Sequence, residues 1–246
     1  MRLIAALGGI PFVLVCLAIG PRLLLLARRT RALPELAMGL SLLLMGGIGY
    51  PLTSVARQAQ GLSEATRTGF MIGAHLCMIS GALSMAVFNW RVFRAEARWA
   101  RGLTLATALL LAGLFLAQGY APGFTAGALR GDGLPLVLIN LVVAANSCWS
   151  MLESLAYRRK LALRRRVGLG DPLVEDRLRL WALAMGGAAA ISLWTTLLHA
   201  LGVDPAGSAA GALVIGPLGL ASATSVALAF FPTAGYRRRV LARAAA

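Results

Sequence analysis

Apolar residues run along this chain in seven long blocks, roughly 3–27, 34–56, 68–91, 100–120, 134–157, 178–201 and 208–232. About 20 helical residues, at a rise of about 1.5 Å each, cross the roughly 30 Å hydrocarbon core of a bilayer. Each block is long enough. Polar and turn-forming residues separate them. Pro34 suits a first helical turn. Pro122-Gly123, Gly131-Asp132-Gly133, Gly170-Asp171-Pro172 and Asp204-Pro205-Ala206-Gly207 mark loops. The pattern predicts an all-α fold, an integral membrane bundle of seven transmembrane helices forming one domain. The first apolar run continues to Ala27 through Pro21 and Arg22 without a small-x-small cleavage pattern, so it reads as the first span and not as a cleaved leader.

Composition supports lipid as the solvent. Of 246 residues, 59% are hydrophobic and 13% charged, and mean hydropathy is +0.76. Soluble domains average about 45–50% apolar and about 25% charged residues. Cys16, Cys77 and Cys148 all fall inside apolar blocks, where thiols act as small apolar groups and disulfides are not expected.

The net charge of +15 invites a nucleic-acid reading, but the arginines are placed for topology. Arg22, Arg28, Arg29 and Arg31 border the first interval, and Arg91, Arg94, Arg98 and Arg101 the third. Arg158, Arg159, Lys160, Arg164, Arg165, Arg166, Arg177 and Arg179 border the fifth. Arg237, Arg238, Arg239 and Arg243 follow the last block. These twenty of the 24 basic residues share one side, and only Arg2, Arg57, Arg67 and Arg130 fall on the other. The positive-inside bias predicts an N-terminus outside and a C-terminus in the cytoplasm. It turns the charge toward anionic lipids at the cytoplasmic face, with no nucleic-acid partner required. Trp90, Trp99, Tyr157, Trp181 and Tyr236 fall at the predicted inner interface, and Tyr50 and Tyr120 at the outer one.

Small residues predict where helices approach closely: Gly46-Gly47-Ile48-Gly49, Gly186 to Ala190, and Gly211, Gly216 and Gly219 with Ser222, Thr224 and Ser225. No internal repeat is visible, which argues against a repeat-built transporter. The basic segment 158–177 predicts a short amphipathic helix on the inner membrane surface, its Leu161, Leu163 and Val167 set among arginines. It would anchor to lipid or dock a cytoplasmic protein partner.

Candidate chemistry is sparse. A retinal Schiff base needs a lysine inside the bundle, and the one lysine, Lys160, stands outside the blocks. Ion-coupled transport needs ionisable groups at mid-membrane, and all nine acids lie in loops or near helix ends. No Ser/His/Asp set, H-E-x-x-H pattern or Cys/His/carboxylate set appears, so no catalytic residue is assigned.

Two polar features remain. Asn146, Trp149, Ser150, Glu153 and Tyr157 follow helical spacing and form one stripe, which must face protein or water. The partners expected for Glu153 are Arg22 and Arg91, with Asn89 at the same depth. The stripe reads as a structural clasp or as a switchable latch. It would face the bundle centre or a neighbouring subunit of a homo-oligomer. His75, about 10 Å deep from residue 68 by helix rise, and His199, near the outer surface, are the only histidines. No cofactor is expected. Two imidazoles on different helices would be the ligands if haem or, with Asp204, a metal were bound.

Trp90-Arg91-Val92-Phe93-Arg94, the run from Leu161-Ala162-Leu163-Arg164 through Gly168-Leu169-Gly170-Asp171-Pro172-Leu173-Val174 to Asp176-Arg177, and Ala229-Phe230-Phe231-Pro232 to Tyr236-Arg237-Arg238 resemble the basic borders of a group of uncharacterised bacterial seven-helix membrane proteins. The resemblance covers nearly the whole chain. It implies a multi-pass protein of a bacterial inner membrane and no particular activity. The layout is also loosely similar to seven-helix receptors and rhodopsins: Asn89-Trp90-Arg91 closes the third block, and Pro232 and Tyr236 the seventh. By elimination the expected function is a receptor-like sensory or signalling protein. It would respond to a small apolar ligand or to the membrane state and act through a separate cytoplasmic partner. A passive transporter or channel for a small uncharged solute comes second, and a haem- or metal-binding redox protein third.

Overall fold

A computed structural model of the chain describes residues 2–120, 123–130, 133–167, 169–205 and 207–245. Pro122, Gly131, Asp132, Gly168 and Ala206 lie outside the described residues, as do the side chains of Arg2, Arg130 and Arg166. Among the described residues the chain is helical, with no strand. Helix α1 covers Arg2–Thr30, α2 Leu33–Ser41, a π-helical segment Leu42–Gly49, and α3 Tyr50–Gln58. Helices α4 Glu64–Phe93, α5 Arg98–Tyr120, α6 Ala126–Arg130, α7 Leu134–Arg166, α8 Pro172–Ala200, α9 Ala209–Phe230 and α10 Ala234–Ala245 follow.

Seven stretches are long and apolar enough to cross a membrane: Gly8–Thr30, Leu33–Gln58, Glu64–Phe93, Arg98–Tyr120, Leu134–Arg165, Pro172–Ala200 and Ala209–Phe230. We number them spans 1 to 7. They fit a multi-pass membrane protein. Side chains cap the starts of three: Ser63 Oγ accepts from Thr66 N at 3.2 Å, Asp171 Oδ1 from Leu173 N at 2.8 Å, and Ser208 Oγ from Gly211 N at 3.0 Å.

Packing follows chain order. Span 1 lies on span 2, 2 on 3, 3 on 4 and 5, 4 on 5, 5 on 6, 6 on 7, and 7 closes the ring on span 1. Spans 1, 2, 3, 6 and 7 fill the interior with Cys16, Ile19, Leu42, Met85, Phe88, Trp181, Met185 and Val226. Phe88 and Trp181 meet edge-on at 6.2 Å, joining spans 3 and 6.

Span 2 changes helical register midway. Tyr50 N bonds Met45 O, five residues back, and the next residue is Pro51, which has no N–H to donate to the turn before it. Glycines let this wider segment sit between its neighbours. A Cβ on Gly46 would strike Cys16 Sγ and come within 2.9 Å of Phe12, and one on Gly81 of α4 would reach Ser41 O at 3.2 Å.

At the arginine-rich end the fold departs from the sequence expectation. The segment 158–177 is not a loop with its own surface helix. Span 5 continues as helix to Arg166, and span 6 is already helical at Pro172. Residues 158–166 are arginine, lysine, leucine and alanine, all good helix formers, so nothing ends α7 until the glycines at 168 and 170. The result is a basic helical hairpin that joins the arginine-rich ends of spans 5 and 6. Arg158 Nε and Arg165 Nε each stand 3.5 Å from Glu175 across it. The C-terminal arginines also form a helix, α10, which packs on α8. There Tyr236 Oη donates to Asp176 Oδ2 at 2.6 Å. Burial and this bond push the Tyr236 phenol up to about 12.

Candidate functional site

The polar stripe of α7 faces the bundle, and its contacts gather at the arginine-rich ends of spans 3, 4, 5 and 6. Helical spacing alone puts Asn146, Ser150, Glu153 and Ser154 on one side of α7, and all four are buried. Asn146 Nδ2 donates to Ala82 O of span 3 at 2.8 Å, and Asn89 Nδ2 donates to Asn146 Oδ1 at 3.3 Å. One turn on, Trp181 Nε1 of span 6 donates to Ser150 Oγ at 3.1 Å. Ser154 Oγ donates to the backbone Ser150 O at 2.7 Å. Span 5 is thus tied by directional bonds to spans 3 and 6, as apolar surroundings require of buried polar groups.

Glu153 completes the set, with a partner that helical spacing did not give. Arg94 Nε donates to Glu153 Oε1 at 2.7 Å, and Trp149 Nε1 reaches the same oxygen at 3.3 Å. The carboxylate side chain is 10% exposed and the guanidinium 43%. Hydrogen bonding to Glu153, then the charge of its carboxylate, raises Arg94 above its ordinary value. Trp99, on the first turn of α5, stacks beside Trp149 with centroids 5.8 Å apart, and the Arg94 guanidinium lies 5.8 Å from the Trp99 ring centre.

The expected partners lie elsewhere. Arg22 sits over the Phe231 ring at 4.9 Å, joining spans 1 and 7, and Arg91 over Trp90 at 4.4 Å. Arg94 escaped a periodicity argument because it is the C-cap of α4, at φ −141° and ψ 39°. Its side chain no longer follows the helix and swings back toward α7. Tyr157 is half-exposed and packs edge-on against Phe93 at 6.2 Å. Asn89 Oδ1, fully buried, has no hydrogen-bond partner among the described residues.

The histidines lie toward the other end. His75 is buried, its Nδ1 2.9 Å from Met71 O and its ring 6.2 Å from Phe115 of span 4. His199 is buried in the last turn of α8. His75 is turned toward span 4, which has no extended contact with span 6. The described residues contain no group of three or more His, Cys, Asp or Glu placed to hold a metal.

A cap over this end was not anticipated. Ala126 N bonds Thr68 Oγ1 at 3.0 Å, Phe124 stacks on Phe115 at 5.2 Å, and Ala126 and Leu129 are buried against Ala56 and Met71. The apolar spacing of Phe124, Ala126 and Leu129 was the signal. Nearby, Arg57 of α3 pairs with Asp204 of the span 6–7 loop at 3.4 Å.

What the arrangement offers is a polar and aromatic clasp of four helix ends. No nucleophile with an adjacent base stands in it. No protein-family model matches the chain, and neither a curated protein nor a solved structure does.

Proposed function

We propose that this chain is a receptor-like sensory or signalling protein of a bacterial inner membrane, its N-terminus outside and its C-terminus in the cytoplasm. It answers a small apolar ligand or the state of the membrane and acts through a separate cytoplasmic partner. The observation that carries this reading is the Arg94–Glu153 bond at 2.7 Å between the end of span 3 and span 5. Half-exposed ion pairs contribute only about 0–1 kcal/mol. Losing such a pair shifts a two-state equilibrium by up to about fivefold, which suits a latch better than a permanent brace. Behind it, α7 and α8 carry the basic hairpin that a cytoplasmic partner would read. The packed apolar interior of spans 1, 2, 3, 6 and 7 favours a conformational device over a solute pathway.

The test is a distance distribution between spin labels at Leu163, exposed on the α7 extension, and at Arg29, exposed at the end of α1. In lipid nanodiscs the unaltered chain should give one narrow distribution, and Glu153→Gln or Arg94→Gln should broaden or shift it. A distribution left unchanged by both substitutions, in protein that still folds, removes the latch.

A further inference from the structure

A second polar site stands apart from the clasp, in the groove between the basic hairpin and α10. It is a cleft of about 200 Å³ lined by Arg158, Arg165, Arg179 and Arg243, with Glu175 and Asp176 on the same walls. Three helices contribute, so the arginines converge by tertiary packing and not by adjacency in the chain. Four guanidinium groups against two carboxylates leave two positive charges in excess.

The two acids are already engaged. Asp176 accepts from Tyr236, and Glu175 is shared between Arg158 and Arg165 at 3.5 Å each. Arg179 and Arg243 make no ion pair or hydrogen bond among the described residues, yet both stand close enough to act on the Tyr236 phenol. A chain that only needed a positive surface for topology would spread these charges in water. Here they are gathered around a space that holds several waters at about 30 Å³ each, or one phosphate group with a few waters. Planar guanidinium forks match phosphate oxygens in pairs, and a phosphomonoester near neutral pH carries about −1.5 to −2 charges, close to the excess in the cleft.

We propose that this cleft binds a phosphomonoester group, borne either by a membrane lipid or by a soluble molecule. Arg179 and Arg243 are its primary donors, with Arg158 and Arg165 beside them at 3.5 Å from Glu175. The proposal does not rest on the Arg94–Glu153 clasp, although it places its ligand on the same hairpin that the signalling reading gives to a partner.

The experiment uses the full chain in phosphatidylcholine nanodiscs and reads the thermal unfolding midpoint against probe concentration. One arm adds phosphatidic acid to the nanodisc, a second adds phosphatidylglycerol at equal total charge, and a third adds glycerol 3-phosphate in solution. A rise with phosphatidic acid above that with phosphatidylglycerol assigns a lipid-borne monoester, and a rise with glycerol 3-phosphate alone assigns a soluble one. In either case the variant carrying Arg179→Gln and Arg243→Gln should weaken apparent affinity by about tenfold or more. The charge-matched variant carrying Arg28→Gln and Arg29→Gln, outside the cleft, should leave it unchanged. Arg243→Gln alone, near the end of the last helix, repeats the test without touching the bundle and should weaken affinity several-fold. No rise with any probe overturns the proposal. So does an equal loss in the cleft and control variants, which would reduce the effect to diffuse surface charge.

Discussion

Two sides of the helix ring are held together by different physics. Where span 1 meets spans 2 and 7, glycines set the closest approaches, backbone on backbone at Gly8 and against the Leu43 and Cys16 side chains at Gly20 and Gly46. A Cβ on Gly8 would collide with Gly216 O and lie 2.8 Å from Gly216 Cα, one on Gly20 would lie 2.9 Å from Leu43 Cβ, and one on Gly46 would strike Cys16 Sγ. Where span 5 meets spans 3 and 6, the contacts are Asn89–Asn146, Trp181–Ser150 and Arg94–Glu153. In lipid there is little hydrophobic drive between helices, so close packing and interhelical hydrogen bonds are the available means. The glycine side is steric and has one solution. The polar side is a set of separable bonds, each modest, and it is the side on which a rearrangement costs least.

Substitutions on the two sides should therefore differ in size and character. The largest effect is expected from Gly8→Ala, because the obstructing atoms are backbone and cannot move aside. Overpacking of this kind costs about 1–3 kcal/mol, sometimes more. The denaturant midpoint in detergent should fall sharply. Gly113→Ala, whose Cβ would meet nothing within 4 Å, should hold its midpoint or gain up to about 1 kcal/mol from helix propensity. Equal behaviour of the two would erase the steric side of the comparison.

Asn146→Ala should come next, at about 1–2 kcal/mol. It removes the bond to Ala82 O and the side-chain bond to Asn89, whose Nδ2 keeps only the 3.4 Å bond to the backbone carbonyl of residue 146. The native fold should survive with reduced stability and faster amide exchange in spans 3 and 5. Unchanged exchange would mean that the polar side is as rigid as the glycine side. A double-mutant cycle on Arg94→Gln and Glu153→Gln should give a smaller coupling, about 0.5–1 kcal/mol, since the guanidinium is 43% exposed and screened. The coupling should shrink between 50 mM and 500 mM salt. A salt-independent coupling would show the pair to be more desolvated than its exposure implies.

The smallest effect belongs to Tyr236. Its phenol ordinarily titrates at 10.0 and is pushed up to about 12 in the fold, so the folded state holds the proton more tightly than the unfolded chain. The Tyr236–Asp176 contribution is then fully present below pH 10 and is lost as pH rises toward 12. Tyr236→Phe should cost about 0.5 kcal/mol or less at neutral pH, since water screens this partly exposed pair, and flatten the alkaline limb of the stability profile. A variant whose alkaline limb matches the parent chain would assign that limb to another group.

The stripe on α7 was legible because its residues recur at helical spacing, and the structure buries three of the five, Asn146, Ser150 and Glu153. Its partner was not legible. Arg94 stands one residue past the helix end, where spacing rules stop, while Arg22 and Arg91 obey those rules and bind other rings. The cap at 123–130, the helical continuation of span 5 to Arg166 and the docking of α10 on α8 were likewise not read from the pattern.

The sequence by itself determined the number and rough limits of the apolar helices and the concentration of arginine at one end. Both are local, one-dimensional properties, set by bilayer thickness and by charge along the chain. Tertiary structure alone decided which arginine meets Glu153, that the stripe faces spans 3 and 6, and that four arginines from three helices enclose one cleft. Those outcomes depend on the depth and rotation of each helix relative to its neighbours. Depth and rotation are fixed by steric contacts such as Gly8 against Gly216, between residues more than 200 positions apart in the chain.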